Sequence, residues 1–470
     1  MCYPALAHGL PTVPLSRIQK FSPLTDSEGN VTRKTRAPRR EAAKESLLHS
    51  WSGYKKYAWF SDEVGPLTGQ RFDPFNGWAA ALIDALDAPW IMELKDEFEH
   101  AVRAAEDTDF NSAKTDEISV FETTICHLGG LLSSYEISGK GHRVLLQKAV
   151  ELGELLMGAF DTWNRMSITR WNWRQEVFSV SQGLCHAELG TVSLEFSKLS
   201  QPTGNMKCYD AIKRVMDELE IAQPRTKLPG IWPVHGDAGT RVFDENNEFS
   251  LGAQSDSLYE EHLFRRVLNL GNTPILVSGD THVNRNNIEV VVKGQHLTCF
   301  ASGMIGLAAP AFFRPQDLEV AIQLAEGYVW AYNSTASGIA PESYVKWHVA
   351  LLQHWDDRMD FDRATTPDER VKTIIDGQRL SPGFVDIPKR EYLLRPEDIE
   401  AVFYMYRLTG DPKWMDKAWG MFEQIEKHTR THIAAASLVD TILLQPSKQD
   451  KMESFWLGET LKYAYLVFAE

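Results

Sequence analysis

The sequence predicts an all-α fold in which helix pairs close into a toroid, and two observations carry that expectation. The first is helical periodicity. Trp414, Ala418, Met421, Phe422 and Ile425 recur at i, i+4, i+7, i+8 and i+11, which is one apolar face of a helix. The second is a rhythm of acids. Glu122, Glu188, Asp256, Glu397 and Glu459 are separated by 66, 68, 141 and 62 residues, the third gap being about twice the others. Each acid stands in or beside an apolar segment that reads as helix. Such a period fits one inner helix per pair, and inner helices that start at the same end place their acids on one rim. The macrodipole favours acids at helix N-termini, which is the plainer account of any single one. Their rhythm in apolar surroundings points instead to a site.

Composition bounds the rest. Of the 470 residues 43% are hydrophobic, enough for a large core. Length alone allows about three domains at ~150 residues each, but large barrels run longer as one unit. The expected organisation is a flexible extension over residues 1–40 and a single barrel over 41–470. A formal charge of −15 disfavours nucleic acid and anionic membrane as main partners, because phosphates repel it. No apolar run reaches the roughly 18 residues of a membrane-spanning helix. Met1 to Leu24 carries Pro4, Pro11, Pro14 and Pro23 and shows no basic-then-apolar leader. The expected location is therefore cytoplasmic, with the secretory pathway as the alternative if the true N-terminus differs. Arg33 to Arg40 (RKTRAPRR) reads as a solvated linker or, alternatively, a targeting signal. Cys2, Cys126, Cys185, Cys208 and Cys299 are odd in number and lack zinc-ligand spacing, so reduced thiols are expected. Asn30 and Asn333 begin glycosylation sequons, a triplet that chance often supplies.

Local patterns fill in the elements. Asp411 followed by Pro412 reads as an N-cap with proline at the first helical position. Thr203-Gly204-Asn205-Met206-Lys207 matches Thr409-Gly410-Asp411-Pro412-Lys413, so one helix–loop–helix unit is used at least twice. Gly230 to Val292 differs, with Gly, Asn and Asp clusters around the run Ile288 to Val292 (IEVVV). It predicts loops with one or two short hairpins. Gly279-Asp280-Thr281-His282 reads as a turn rather than a metal or phosphate contact, for want of a second ligand at useful spacing.

Several segments then acquire a joint meaning. They are HSWSGYKKYAW (49–59), SVFETTI (119–125), LGGLLSSYEISG (128–139), AELGTVSLEFSKLSQPTG (187–204), LGAQSDSLYE (251–260), HLTCFASG (296–303), SGIAPES (337–343), LLRPEDIEAVFYMYRLTGD (393–411) and MESFWLGETLKYAYLVF (452–468). In this order and spacing, from about Glu41 to Glu470, the chain resembles the class I α-mannosidases, glycoside hydrolase family 47. The resemblance implies an (αα)7 barrel with short β-hairpins in its loops, and removal of α-1,2-linked mannose from N-glycans with inversion, using bound calcium. It also implies roles. Glu122 matches the proposed general acid, Asp256 a second catalytic carboxylate and Glu397 the proposed general base. Arg395, Glu400, His296, Phe455 and Glu459 match residues lining the sugar and calcium site, and Glu195 is a further matched acid. Inverting hydrolysis needs a protonated acid at the leaving oxygen and a base that activates water on the other ring face, roughly 6.5–9.5 Å away. Clustered carboxylates raise one another's pKa, which keeps one protonated near neutral pH.

Five positions depart from the family pattern. The family continues past its LKYxYLxF helix to a threonine that ligates calcium, whereas this chain stops at Glu470. That leaves Glu459 as the matched metal-site residue without the family's full ligand set. The arginine of VFETTIR is Cys126, so the cation beside the proposed acid is replaced by a thiol. Cys299 occupies one half of a family disulfide whose other position matches Tyr328. The pattern D-x-L-D-T-L-W carries Pro89, which breaks or bends a helix. Gln254 stands two residues before Asp256, where relatives vary with glycan specificity. Three functions follow as expectations. The leading one is a repurposed enzyme that uses the retained acids for cofactor-free, calcium-independent acid/base chemistry on a small metabolite, by cyclisation, isomerisation or elimination. The alternative is a working α-1,2-mannosidase that binds Ca2+ and a glycan. The third is a non-catalytic glycan-binding protein. Oligomeric state is not legible.

Overall fold

The computed structural model of the chain describes residues 9–10, 30–175, 184–252, 255, 264–268, 274–284, 287–346, 377–380 and 384–470. Among these, helices form two concentric layers. The inner layer runs through α2 (Ala80–Asp84) and α3 (Asp87–Ile91), then α5 (Val120–Glu122) and α6 (Gly129–Ile137), then α8 (His186–Gly190) and α9 (Ser193–Thr203). It continues with α11 (Phe300–Ala311), α13 (Glu397–Thr409) and α15 (Leu461–Leu466). Successive inner segments touch: α2 and α3 lie against α6, α6 against α9, α11 against α13, α13 against α15, and the turn before α15 returns to α2 and α3. The outer layer is α1 (Asn30–Tyr57), α4 (Lys95–Glu106), α7 (Arg143–Leu156), α10 (Lys207–Ala222), α12 (Asp317–Asn333) and α14 (Lys413–Thr429).

The amphipathic outer helices explain the layering. On α14 the predicted face of Trp414, Ala418, Met421, Phe422 and Ile425 is buried, while the opposite face carries lysines and glutamates. The repeated five-residue linker folds identically at both sites. Gly204 and Gly410 adopt φ of 65° and 72°, the left-handed conformation that ends a helix without a Cβ clash. The threonine hydroxyl before each glycine bonds back into its helix, Thr203 to Leu199 O at 2.7 Å and Thr409 to Met405 O at 2.6 Å. Asn205 and Asp411 then accept from the backbone N–H of Lys207 and Lys413, at 3.1 and 3.0 Å.

Inner segments approach one another closely because glycine removes side chains where they cross. A Cβ on Gly130 of α6 would stand 2.2 Å from the carbonyl oxygen of Ile83 on α2, and in the outer layer one on Gly53 of α1 would stand 2.0 Å from that of Ile433. Pro89 acts as predicted. It lacks the N–H that would reach Ala85 O, which is taken instead by Ala88 N–H at 3.1 Å, and the inner segment is split into α2 and α3.

Three sequence expectations need correction. α1 begins at Asn30 and passes without interruption through residue 40, where the extension was expected to end. RKTRAPRR is not a solvated linker, because Arg36 donates to Phe468 O at 2.6 Å and the Arg39 guanidinium stands 5.4 Å from the Trp419 ring. Asp280 to His282 belongs to a strand, Asp280–Asn284, paired antiparallel with Asn287–Val291, rather than to a turn. The Asp280 carboxylate is structural, accepting from Ser250 Oγ at 2.5 Å. That hairpin and the pairing of Phe264–Leu268 with Pro274–Ser278 are the short hairpins the region predicted.

Glycine packing gives an opposed pair of outcomes. Gly130→Ala is expected to lower stability by about 3 kcal/mol, since the methyl group meets backbone that cannot yield. Gly420→Ala, on an open helix face, is expected to raise it by about 0.5–1 kcal/mol. Urea midpoints of the two variants against the parent measure both.

Candidate active site

Glu122 ends the short α5, whose N-terminus is capped by Ser119 Oγ accepting from Glu122 N–H at 3.3 Å. Ser119 is held in turn by the strand Glu117–Ser119 pairing with Arg170–Asn172. The helix then widens into a π turn over Thr123–Leu128, a local irregularity frequent at functional sites. Burial, opposed by Arg170 and reinforced by Glu453, Glu188 and Asp84, pushes the Glu122 carboxyl up from 4.5 to about 7. Cys126 lies within the π turn. Its buried thiol is held protonated by burial and by the charges of Asp84, Glu122 and Glu459, so it contributes a neutral surface beside the acid.

Glu397 opens α13 and has the opposite bias. Burial works to protonate it, but the His296 hydrogen bond, the Arg395 charge and the His296 charge outweigh burial and lower its pKa. His296 Nδ1 stands 3.0 Å from Glu397 Oε2, and Nε2 stands 3.0 Å from Tyr332 Oη and 3.4 Å from Asp398 Oδ2. Burial works to keep His296 neutral, but Glu397, Asp398 and Glu342 hold its pKa above the ordinary value. Arg395 Nη1 is 3.9 Å from Glu397 Oε1, and its Nε is 3.1 Å from Glu342 Oε2. The guanidinium lies 5.4 Å from the Phe455 ring centroid, within cation–π range.

Glu459 sits in a second π turn, Trp456–Thr460. Burial, together with the charges of Asp84 and Glu400, raises its pKa well above the usual range. Asp84 is pushed to about 6 by burial, against a hydrogen bond from Ser454 at 2.6 Å. Glu400 is pushed to about 7 by burial and by Glu397, and accepts from Tyr463 Oη at 3.0 Å. The ammonium that meets this cluster is that of Lys462, paired with Asp87 at 2.9 Å.

Among the sequence-predicted residues, Glu122, Cys126, His296, Arg395, Glu397, Glu400, Phe455 and Glu459 form one connected set. Glu122, Cys126 and Glu459 share Asp84. Glu459, Glu400 and Glu397 act on one another. Arg395 and Phe455 flank Glu397, and the Glu453 charge reaches both Glu122 and Arg395. Glu195 stands apart. Burial raises it to about 7 with no neighbouring charge involved, and its Oε2 has no hydrogen-bond partner among the described residues. Asp256 and Gln254 lie outside the described residues. Sequence reasoning missed Asp84, Glu342, Glu453, Lys462 and Tyr463. Asp84 carried a signal, since it opens the segment already marked by Pro89. Cys299 packs beside Tyr328, and both are buried.

Glu459, Asp84 and Glu400 present hard oxygen donors of the kind calcium prefers, but they do not fit a directly ligated ion. No group of three or more His, Cys, Asp or Glu side chains among the described residues converges to hold a metal. Calcium takes roughly six to eight oxygens, and the Lys462 ammonium already supplies counter-charge to this cluster.

The glycosyl hydrolase family 47 model matches residues 46–275 and 261–470. The chain is 31% identical over 465 residues to a mannosyl-oligosaccharide 1,2-alpha-mannosidase of Arabidopsis thaliana, covering 92% of this chain and 75% of that protein. It is 30% identical over 467 residues to the endoplasmic reticulum mannosyl-oligosaccharide 1,2-alpha-mannosidase of Rattus norvegicus, covering 92% of this chain but 65% of the length of that relative. The structure superposes on an alpha-1,2-mannosidase from Trichoderma reesei with a TM-score of 0.80 at 26% identity, covering 92% and 94% of the two chains. The fold is thus the (αα)7 barrel, as expected. The expected cytoplasmic location is corrected: the rat, mouse and human relatives are named as enzymes of the endoplasmic reticulum, which points away from the cytoplasm.

The raised pKa of Glu122 carries a stability cost with a definite sign. An acid raised in the folded state contributes best below the ordinary value of 4.5, and that contribution is lost as pH rises through about 7. Glu122→Gln, which cannot ionise, is expected to be more stable than the parent at pH 8 by about 2 kcal/mol. The difference should vanish below about pH 5. Denaturant unfolding at the two pH values measures it.

Proposed function

The chain belongs to glycosyl hydrolase family 47, and from that premise we propose an acid–base enzyme in which Glu122 donates a proton, Glu397 accepts one, and the substrate is a small molecule. The observation that carries this reading is the opposed protonation bias of the two glutamates, Glu122 held up at about 7 and Glu397 held down. Groups whose environments push their pKa values apart are those able to divide acid and base roles. Glu122 is protonated up to neutral pH and delivers its proton to a developing oxyanion or leaving oxygen. Glu397 is ionised, oriented by His296 and Arg395, and takes a proton from carbon or from water. Asp256 is assigned as a further catalytic carboxylate. Arg395 and Phe455 position the substrate, with Cys126 and Glu400 lining the remaining wall. Cyclisation, isomerisation or elimination needs this pair and no metal. The neutral thiol beside the acid favours a reaction of that kind.

A second reading is inverting hydrolysis of an α-1,2-linked mannoside. It is favoured by the relatives just described and by the grouping of Glu397, Arg395 and Phe455, a base beside an aromatic ring able to stack on a sugar. Mannose release from a Man-α-1,2-Man disaccharide by the purified chain, abolished by EDTA, would establish this second reading and remove the first. Absence of mannose release with and without added calcium would remove the second.

In either reaction Glu122→Gln and Glu397→Gln are each expected to lower kcat by about 10²–10⁴-fold with a modest change in KM. The pH profile should show loss of rate as pH rises through about 7, when Glu122 loses its proton. The acidic limb should lie below the usual glutamate range, where Glu397 becomes protonated. Steady-state kinetics across pH 3 to 9 tests the assignment, and Glu122→Gln should abolish the basic limb.

A further inference from the structure

In the outer layer of the barrel, away from the ring of acids, a cavity of about 500 Å³ lies between α10 and the 3₁₀ turn Met157–Phe160 that follows α7. Its volume is that of a small-molecule pocket. One wall is a single face of α10, where Lys207, Asp210, Ala211 and Arg214 recur at i, i+3, i+4 and i+7. The half-buried Met157 and the buried Phe160, which packs on Phe196, make the lining partly apolar.

The polar lining is balanced in charge. Arg214 donates to Asp210 through two nitrogens, Nε at 3.2 Å and Nη2 at 3.4 Å, and Arg165 Nη1 donates to Asp161 at 3.0 Å. Lys207 and Glu154, both exposed, add one charge of each sign. Each arginine pair sets guanidinium donors beside carboxylate acceptors. The loop that carries Arg165 is also fixed from behind. Arg165 adopts φ of 65°, a conformation unfavourable for a long side chain and kept only where the surroundings enforce it. Buried Thr162 and Asn164 enforce it here. Thr162 Oγ1 donates to Met166 O at 2.8 Å, and Asn164 Oδ1 accepts from Met166 N–H at 3.1 Å. Asn164 Nδ2 donates to Ala238 O at 2.6 Å, and Arg241 Nη2 donates to Asn164 O at 2.8 Å. Polar groups held in place in this way lose little freedom when a ligand binds.

We propose that this cavity is a second binding site, separate from the ring of acids, for a neutral saccharide ring whose adjacent hydroxyls bridge the Arg214–Asp210 and Arg165–Asp161 pairs. A hydroxyl both donates and accepts, so a vicinal diol accepts from a guanidinium and donates to its carboxylate while the pair stays intact. An anion or a cation has to break a pair or stand beside a like charge. The carbon face of the sugar ring meets the apolar part of the lining. A purely apolar ligand leaves the arginine and aspartate groups without exchange for the water they give up. The site is independent of the reaction carried out at Glu122 and Glu397.

The test follows the Met157 methyl resonance of the intact protein labelled with ¹³C-methyl methionine, assigned with Met157→Leu. That resonance reports on this cavity and not on the barrel mouth. The probe is methyl α-D-glucopyranoside, with glucuronate, glucosamine and cyclohexanol as anionic, cationic and apolar comparators of similar size. The glucoside is expected to shift the resonance saturably and to bind about tenfold more tightly than any comparator. Ala211→Phe, which fills the cavity, is expected to abolish the shift. Asp210→Asn leaves Arg214 without its carboxylate and is expected to reverse the order, so that glucuronate binds about tenfold more tightly than the glucoside. Asp210 is half-buried on the helix surface, so this variant decides the matter if Ala211→Phe does not fold. No saturable shift with the glucoside, a comparator that equals it on the parent, an undiminished shift in folded Ala211→Phe, or an unchanged order in Asp210→Asn overturns the proposal.

Discussion

The barrel is organised around carboxyl groups that are crowded together and withdrawn from water. Asp84, Glu122, Glu397, Glu400 and Glu459 share a region in which burial disfavours ionisation and each negative charge disfavours the next. Cations are few and unevenly placed. Arg395 and His296 stand at Glu397, and Lys462 is committed to Asp87. The asymmetry sets the protonation bias: Glu397, supplied with donors, is held low, while Glu122, Glu400 and Asp84 are pushed up to about 7, 7 and 6. A single ring of similar residues is thereby divided into groups biased toward the neutral form and one biased toward the charged form.

This division depends on backbone detail as much as on side-chain identity. π turns interrupt the inner segments at Thr123–Leu128 and Trp456–Thr460, beside Glu122 and around Glu459. Glu122 immediately precedes the first of these turns and Glu459 lies within the second, local irregularities of the kind found at functional sites. Glu397 instead uses a helix start, with Arg395 and Pro396 in the approach and the carboxylate at the first turn, where the helix dipole adds to its preference for charge. Different local devices therefore deliver acids to the same rim.

Outside the lumen the structure spends its polar groups on closure. α1 is strapped to the last helix by Arg36 and Arg39, and the repeated threonine–glycine–Asx linkers fix the angle at which outer helices return. These features resist opening of the ring, which would expose carboxyl groups that packing keeps in place. Part of the stability lost in burying acids is offset by this peripheral apolar and capping network, including the fully buried Trp51, Trp414 and Trp456.

How much of this was legible beforehand follows from what each signal encodes. Periodicity and linker chemistry are local, so the α14 face, the paired linkers and the split at Pro89 could be read from the sequence, and the acid rhythm placed Glu122, Glu397 and Glu459 on inner segments. Residue matching by motif then identified the barrel and named Arg395, His296, Glu400 and Phe455 beside them. The sequence did not reveal that RKTRAPRR packs against the C-terminal helix, because a basic run looks the same solvated or stacked on Trp419 and Phe468. Nor did it reveal Asp84, Glu342 or Glu453, since these acquire meaning only from neighbours far along the chain, 370 residues away for Asp84 and 53 for Glu342. Which glutamate holds a proton is likewise a tertiary property. It is set by desolvation and by the few cations within reach, and neither is written in the identity of the residue itself.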